Sequence, residues 1–177
     1  MQMNLPNKLT MFRVVLIPVF IVILMTGLVP EPASRYIGVV VFAVASFTDF
    51  LDGKIARKYN LVTNFGKFMD PLADKLLVSS ALICMIELGL LPAWVVIIII
   101  SREFIITGFR LIAVENGIVI AASWWGKIKT ATQMVMIILL LLGVQGVIAT
   151  ILVALATLFT IISGVDYIVK NKSVLNN

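Results

Sequence analysis

The chain has 177 residues, 61% hydrophobic and 13% charged, with a mean hydropathy of +1.11 and a net charge of +5. A composition this apolar excludes a soluble domain of the same length and points to a membrane protein. The absence of histidine excludes imidazole acid–base chemistry, a phosphohistidine intermediate and His-ligated zinc, and the single Cys84, inside an apolar run, excludes a disulfide framework or thiolate metal site within one chain. The positive balance fits a positive-inside bias and anionic lipid or phosphate partners. With no basic-aromatic patch in the chain, a nucleic-acid partner is not expected.

Residues 1–8 are short and mixed, and Arg13 introduces an apolar run from Val14 to Val29 that ends at Pro30 and Pro32. No small-x-small cleavage site follows, so a retained first membrane helix is expected rather than a leader. A second helix starts near Tyr36 and closes around Arg57 to Tyr59. Thr63 or Asn64 caps a third, which carries Gly66, Asp70 and Asp74 on one face and runs to about Leu88. Pro71 is read as a kink within its first two turns, because a start at Pro71 would leave Gly66 in a loop. Leu91 to Val114, Trp124 to Leu142 and Val147 to Val169 complete six helices, with Gly143 and Gly146 at the last turn.

The expected fold is all-α and polytopic, with six transmembrane helices in a single domain over residues 1–177, since no long Pro/Gly/Ser linker or internal repeat interrupts it. Six spans put both termini on one side. Lys8, Arg13, Lys54, Arg57, Lys58, Lys67, Lys75, Lys127, Lys129, Lys170 and Lys172 fall at the helix ends on that side, whereas the other has Arg35 with Glu31 and Glu87. Both termini and the acidic stretch are therefore expected in the cytoplasm. Trp94, Trp124 and Trp125 read as interfacial anchors, and Asp166 as the partner of a nearby cation with no catalytic role.

Asp49-x-x-Asp52-Gly53-x-x-Ala56-Arg57, eight residues, then Gly66-x-x-x-Asp70-x-x-x-Asp74 holds four of the nine acidic residues. Ionisable groups in an apolar solvent are costly and point to function. On a helix Asp49 and Asp52, and likewise Asp70 and Asp74, have Cβ atoms about 5–6 Å apart. One or two divalent cations, with two expected, would hold all four acids ionised, and an all-carboxylate oxygen set selects a hard ion such as Mg²⁺ or Mn²⁺. Gly53 and Ala56 leave a strip without side-chain bulk beside the acids, and Arg57 at its end suits a phosphate. The competing reading is a buried ion-pair network at a helix junction, with the glycines as close-packing points.

This pattern resembles the signature of the CDP-alcohol phosphatidyltransferases without a departure. Asn7-x-x-Thr10-x-x-Arg13, Asp70-Pro71-x-Ala73-Asp74-Lys75, Arg102-Glu103 with Arg110, and Gly126-Lys127-x-Lys129-Thr130 further resemble the bacterial members that use glycerol 3-phosphate. The resemblance covers most of the chain and weakens after about Gln133. It implies a homodimer in the bacterial plasma membrane, with a cytosol-facing polar cavity where CDP-diacylglycerol meets an alcohol. It also implies that Asp49, Asp52 and Asp70 hold metal on the diphosphate and that Asp74 shares the ligation and acts as base. Gly53 and Ala56 would make room for the cytidine, Thr10 and Arg57 would hold the nucleotide and its phosphates, and Gly66 belongs to the same set.

An anionic acceptor calls for cations. Glu103, Thr107 and Arg110 share one stripe of the fourth helix, with Arg102 beside it, and one positive charge is left over if Glu103 neutralises an arginine. The bland alternative is that this set only locks the helix into the bundle. Lys127 and Lys129, two apart, cannot share a face, so at most one is expected to turn inward. Asn7 and Arg13 are candidates either for the site or as orientation signals. The implied reaction gives phosphatidylglycerophosphate and CMP. The same chemistry with inositol phosphate or phosphatidylglycerol as acceptor is the alternative, and a divalent-cation transporter is a remote one that lacks the inverted repeat it would favour.

Overall fold

The computed structural model describes residues 4–59, 61, 63–118, 120 and 123–175. Among them there are six α-helices and no strand: α1 (Leu5–Met25), α2 (Ala33–Lys58), α3 (Asn64–Glu87), α4 (Ala93–Glu115), α5 (Trp124–Leu141) and α6 (Gly146–Lys170), followed by a 3-10 turn, Lys172–Leu175. The chain forms two compact units, Met1–Leu88 with α1 to α3 and Gly89–Asn177 with α4 to α6. The all-α expectation is met. α1, the Ala33–Ala56 part of α2, and α6 are long and apolar enough to cross a membrane. The other three helices carry more charge or polarity along their length, as Asp70, Asp74 and Lys75 do in α3 and Arg102, Glu103 and Arg110 in α4.

In the first unit α1 packs against both α2 and α3. Its start differs from the apolar run at Val14: the Asn4 side chain accepts the Asn7 N–H at 3.0 Å, and Pro6 sits in the first turn, where its missing N–H costs nothing. Asn7, Thr10 and Arg13 therefore belong to the helix, on the stripe that continues through Ile17, Phe20 and Leu24 and is buried throughout. Lipid tails are as apolar as leucine, so close packing rather than water exclusion joins these helices. Phe20 meets Phe42 of α2 with ring centroids 6.2 Å apart. At Gly38 a Cβ would stand 2.9 Å from Leu24 Cδ2, so the missing side chain lets the two helices approach. Thr63 caps α3 by accepting the Gly66 N–H at 3.0 Å, and the helix runs unbroken through Pro71. Cys84 is buried in α3 among Ala81, Leu82 and Met85, all core positions.

In the second unit α6 packs against α4 and α5. Gly164 leaves space for the stem of Arg102, whose Cγ would stand 3.2 Å from a Cβ there. Phe109 and Tyr167 meet edge to face at 5.9 Å, and Trp125 stacks on Phe159 at 6.2 Å. Trp125 thus packs within the unit, whereas Trp94 and Trp124 are exposed as anchors require. Asp166 pairs with Lys170 one turn on, at 2.7 Å, the kind of partner its position predicts.

Candidate active site

The stripe Asn7, Thr10, Arg13 on α1 organises the acidic stretch from one side. Arg13, with none of its side chain exposed, donates from Nη1 to Asp49 Oδ1 and from Nη2 to Asp52 Oδ2, both at 2.6 Å. One guanidinium thus bridges two carboxylates that successive turns of α2 place side by side. Thr10, one turn earlier, stands within reach of Pro6 O, Asp52 Oδ2 and Asp70 Oδ1, at 3.1, 3.5 and 2.6 Å. A hydroxyl carries one proton, so the short contact to Asp70 is the bond it makes. The Thr63 hydroxyl donates to Asn7 Oδ1 at 2.9 Å while capping α3, which ties the start of that helix to α1.

A cavity of about 370 Å³ opens against these acids. Asp49, Asp52, Asp70, Gly53, Ala56 and Gly66 all line it, and Asn7 reaches its edge. Arg13 and Thr10 are buried behind the carboxylates and do not form its wall. Gly66 is closely backed: a Cβ would meet Asn7 Oδ1 at 3.3 Å, Thr63 Oγ1 at 3.4 Å and Asp70 Oδ2 at 3.5 Å. Asp49 and Asp52 differ in exposure, 40% against 2% of the side chain, so Asp49 reaches further into the open part. Asp74 follows Asp70 by one turn of α3 and is half-buried. The side chain of Arg57 lies outside the described residues.

The donor set fits a hard divalent cation: it is all oxygen, three carboxylates face one cavity, and Arg13 takes one oxygen of each of two and leaves the second to other partners. Among the described residues no three acids are gathered about a single point. They are spread around the wall. The competing reading of an ion-pair network gains Arg13 as a second cation beside Arg57, a pairing invisible in the sequence because it joins residues 36 and 39 positions apart.

The cations expected to serve an anionic acceptor all lie in the second unit. Glu103 pairs with Arg102 at 3.2 Å and with Lys129. Arg102 also donates from Nη2 to Ser163 Oγ at 2.6 Å. Arg110 donates from Nε to Tyr167 Oη at 3.0 Å and lies over the same ring. Three cations accompany one carboxylate in this set. Lys129 is buried and Lys127 exposed, lying over the Trp124 ring at 5.7 Å, so the helical spacing does turn only one of them inward. Thr107 is exposed and bonds the Glu103 carbonyl of its own helix at 2.7 Å. Ser163 and Tyr167, which orient the two arginines, had no part in the sequence reading. Their signal was the stripe Thr160, Ser163, Gly164, Tyr167, which puts hydroxyls and a glycine on one buried face of an otherwise aliphatic helix.

Paired aspartates and a glycine strip thus face one cavity in a helical, strongly apolar chain. The family model described as CDP-alcohol phosphatidyltransferase matches residues 3–162. The chain belongs to that family, and it is an enzyme. Among curated relatives it is 47% identical to the "CDP-diacylglycerol--glycerol-3-phosphate 3-phosphatidyltransferase" of Bacillus subtilis (strain 168), over 95% of both chains. It is 45% identical to the "Probable phosphatidylglycerophosphate synthase" of Mycobacterium tuberculosis (strain H37Rv), covering 94% of this chain and 81% of that one. It is 40% identical to a Haemophilus influenzae protein with the same name as the Bacillus one, over 100% and 98%.

Proposed function

We propose that this protein transfers the phosphatidyl group of CDP-diacylglycerol to sn-glycerol 3-phosphate, giving phosphatidylglycerophosphate and CMP. The observation that carries the reading is the cavity walled by Asp49, Asp52 and Asp70 with Gly53, Ala56 and Gly66 beside them, in a chain similar over nearly its whole length to proteins named for this reaction. Asp49, Asp52, Asp70 and Asp74 would hold Mg²⁺ or Mn²⁺, two ions being the expected number, and the bound metal would supply charge stabilisation at the diphosphate.

The chain's own residues do the rest. Gly53, Ala56 and Gly66 give the cytidine a surface without side-chain bulk, and Arg57 holds a phosphate. Thr10 acts from behind the wall, fixing Asp70. Asp74 takes the proton of the acceptor hydroxyl, the freed oxygen forms a bond to the lipid-bearing phosphorus, and the bond from that phosphorus to the CMP oxygen breaks. Arg102, Arg110 and Lys129 provide the positive field that an anionic acceptor requires, with Lys127 at the headgroup level. The enzyme works as a homodimer in the bacterial plasma membrane, its site and both termini cytoplasmic.

The test is CMP release by purified protein with Mn²⁺ or Mg²⁺, CDP-diacylglycerol and a panel of acceptors. Release with glycerol 3-phosphate well above that with inositol phosphate, phosphatidylglycerol or serine is expected. Equal release with another of these would move the acceptor assignment, and none with any would end the proposal.

A further inference from the structure

We infer that Arg13 is the resident counter-cation of the acidic centre: a charge built into α1 that offsets and pairs Asp49 and Asp52 from outside the cavity whether or not a divalent cation is bound. The inference rests on the proposed metal-binding role of these two acids. Three observations carry it. The guanidinium is fully buried, and it reaches both carboxylates at 2.6 Å through separate nitrogens. It stands outside the cavity that the two acids line, so it grips them from the side away from any ligand. Among the described residues its Nε has no partner, so the side chain is held by the two carboxylates through Nη1 and Nη2 rather than by a full set of hydrogen bonds.

A bridging arginine that served only to lock α1 to α2 would matter equally with and without metal. A counter-cation would not. Removing it takes away the cation that both carboxylates pair with among the described residues, a loss a divalent cation can offset and an empty cavity cannot. Arg13 is thus a positioning residue, acting through Asp49 and Asp52, and its removal makes the fold metal-dependent and the metal more tightly held.

The experiment compares wild type, Arg13→Met and Arg13→Lys, purified in detergent, by thermal unfolding in EDTA and in Mn²⁺ and by direct Mn²⁺ binding without nucleotide. Arg13→Met should unfold roughly 10 °C below wild type in EDTA and recover most of that loss in Mn²⁺. It should bind Mn²⁺ on the order of tenfold more tightly, since a positive charge beside the ligands is gone. Arg13→Lys keeps the charge but spans two carboxylates poorly, and should fall between the two in its Mn²⁺ dependence. An equal loss with and without Mn²⁺, or unchanged or weaker Mn²⁺ affinity, would overturn the counter-cation role of Arg13. If Arg13→Met cannot be purified folded, Arg13→Lys decides: a Mn²⁺ response no greater than that of wild type overturns the inference. Wild type that binds no Mn²⁺ at all is the separate result that removes the metal reading itself.

Discussion

Each of the four aspartates has its own surroundings. Asp52 is buried against Arg13, Asp49 shares that guanidinium but is partly open, and Asp70 takes the Thr10 hydroxyl. Asp74, half-buried one turn on, is the proposed base. Asp74→Asn changes charge and proton affinity with almost no change of shape, so unfolding should shift little while turnover falls by about 10²- to 10⁴-fold. CMP release and thermal unfolding of the same preparation check this. Near-normal turnover would mean that another group takes the proton. The acids themselves were legible from spacing alone, because carboxylates in an apolar chain stand out wherever they lie. Arg13 was legible only as a candidate, since a basic residue at a helix start also serves as an orientation signal.

For α1 the residues Asn7, Thr10 and Arg13 were readable as the entry of the helix, and the structure adds its exact start. Hydropathy marks Val14 as the start of the apolar run, yet the Asn4 cap and Pro6 begin the helix at Leu5 and make its polar first turns part of the site. For α3 the cap and the passage through Pro71 were both readable, because N-cap chemistry is local. Thr63 has a second task that was not, its bond to Asn7 across to α1. Thr63→Ala should therefore lower the unfolding midpoint by about 2–4 °C, roughly the loss of one cap. It should also weaken use of CDP-diacylglycerol, since Asn7 and Gly66 both meet the cavity, and Thr63→Ser should restore both. A serine variant as impaired as the alanine one would show that the methyl group, not the hydroxyl, matters. In α4 and α5 the excess of cations was legible from composition. Their partners Ser163 and Tyr167 were not, because the stripe they form on α6 does not say which residues of another helix it meets.

For the whole molecule the charge asymmetry of the helix ends predicts orientation. Cys84 is buried, so added cysteines can be read against a low background. Glu31→Cys should react with a membrane-impermeant maleimide on intact cells, and Lys172→Cys only after permeabilisation, since both native side chains are exposed. The reverse pattern would put the acidic centre outside. What the sequence by itself determined is the solvent, the number and rough extent of the helices, the acidic motif and the surplus of cations. All of these follow from hydropathy, capping and spacing within one helix. Only the tertiary structure decided which cation meets which acid and which faces line the cavity. Bonds such as Arg13 to Asp49 or Thr10 to Asp70 join positions 36 and 60 apart, and no local rule specifies how helices rotate against one another.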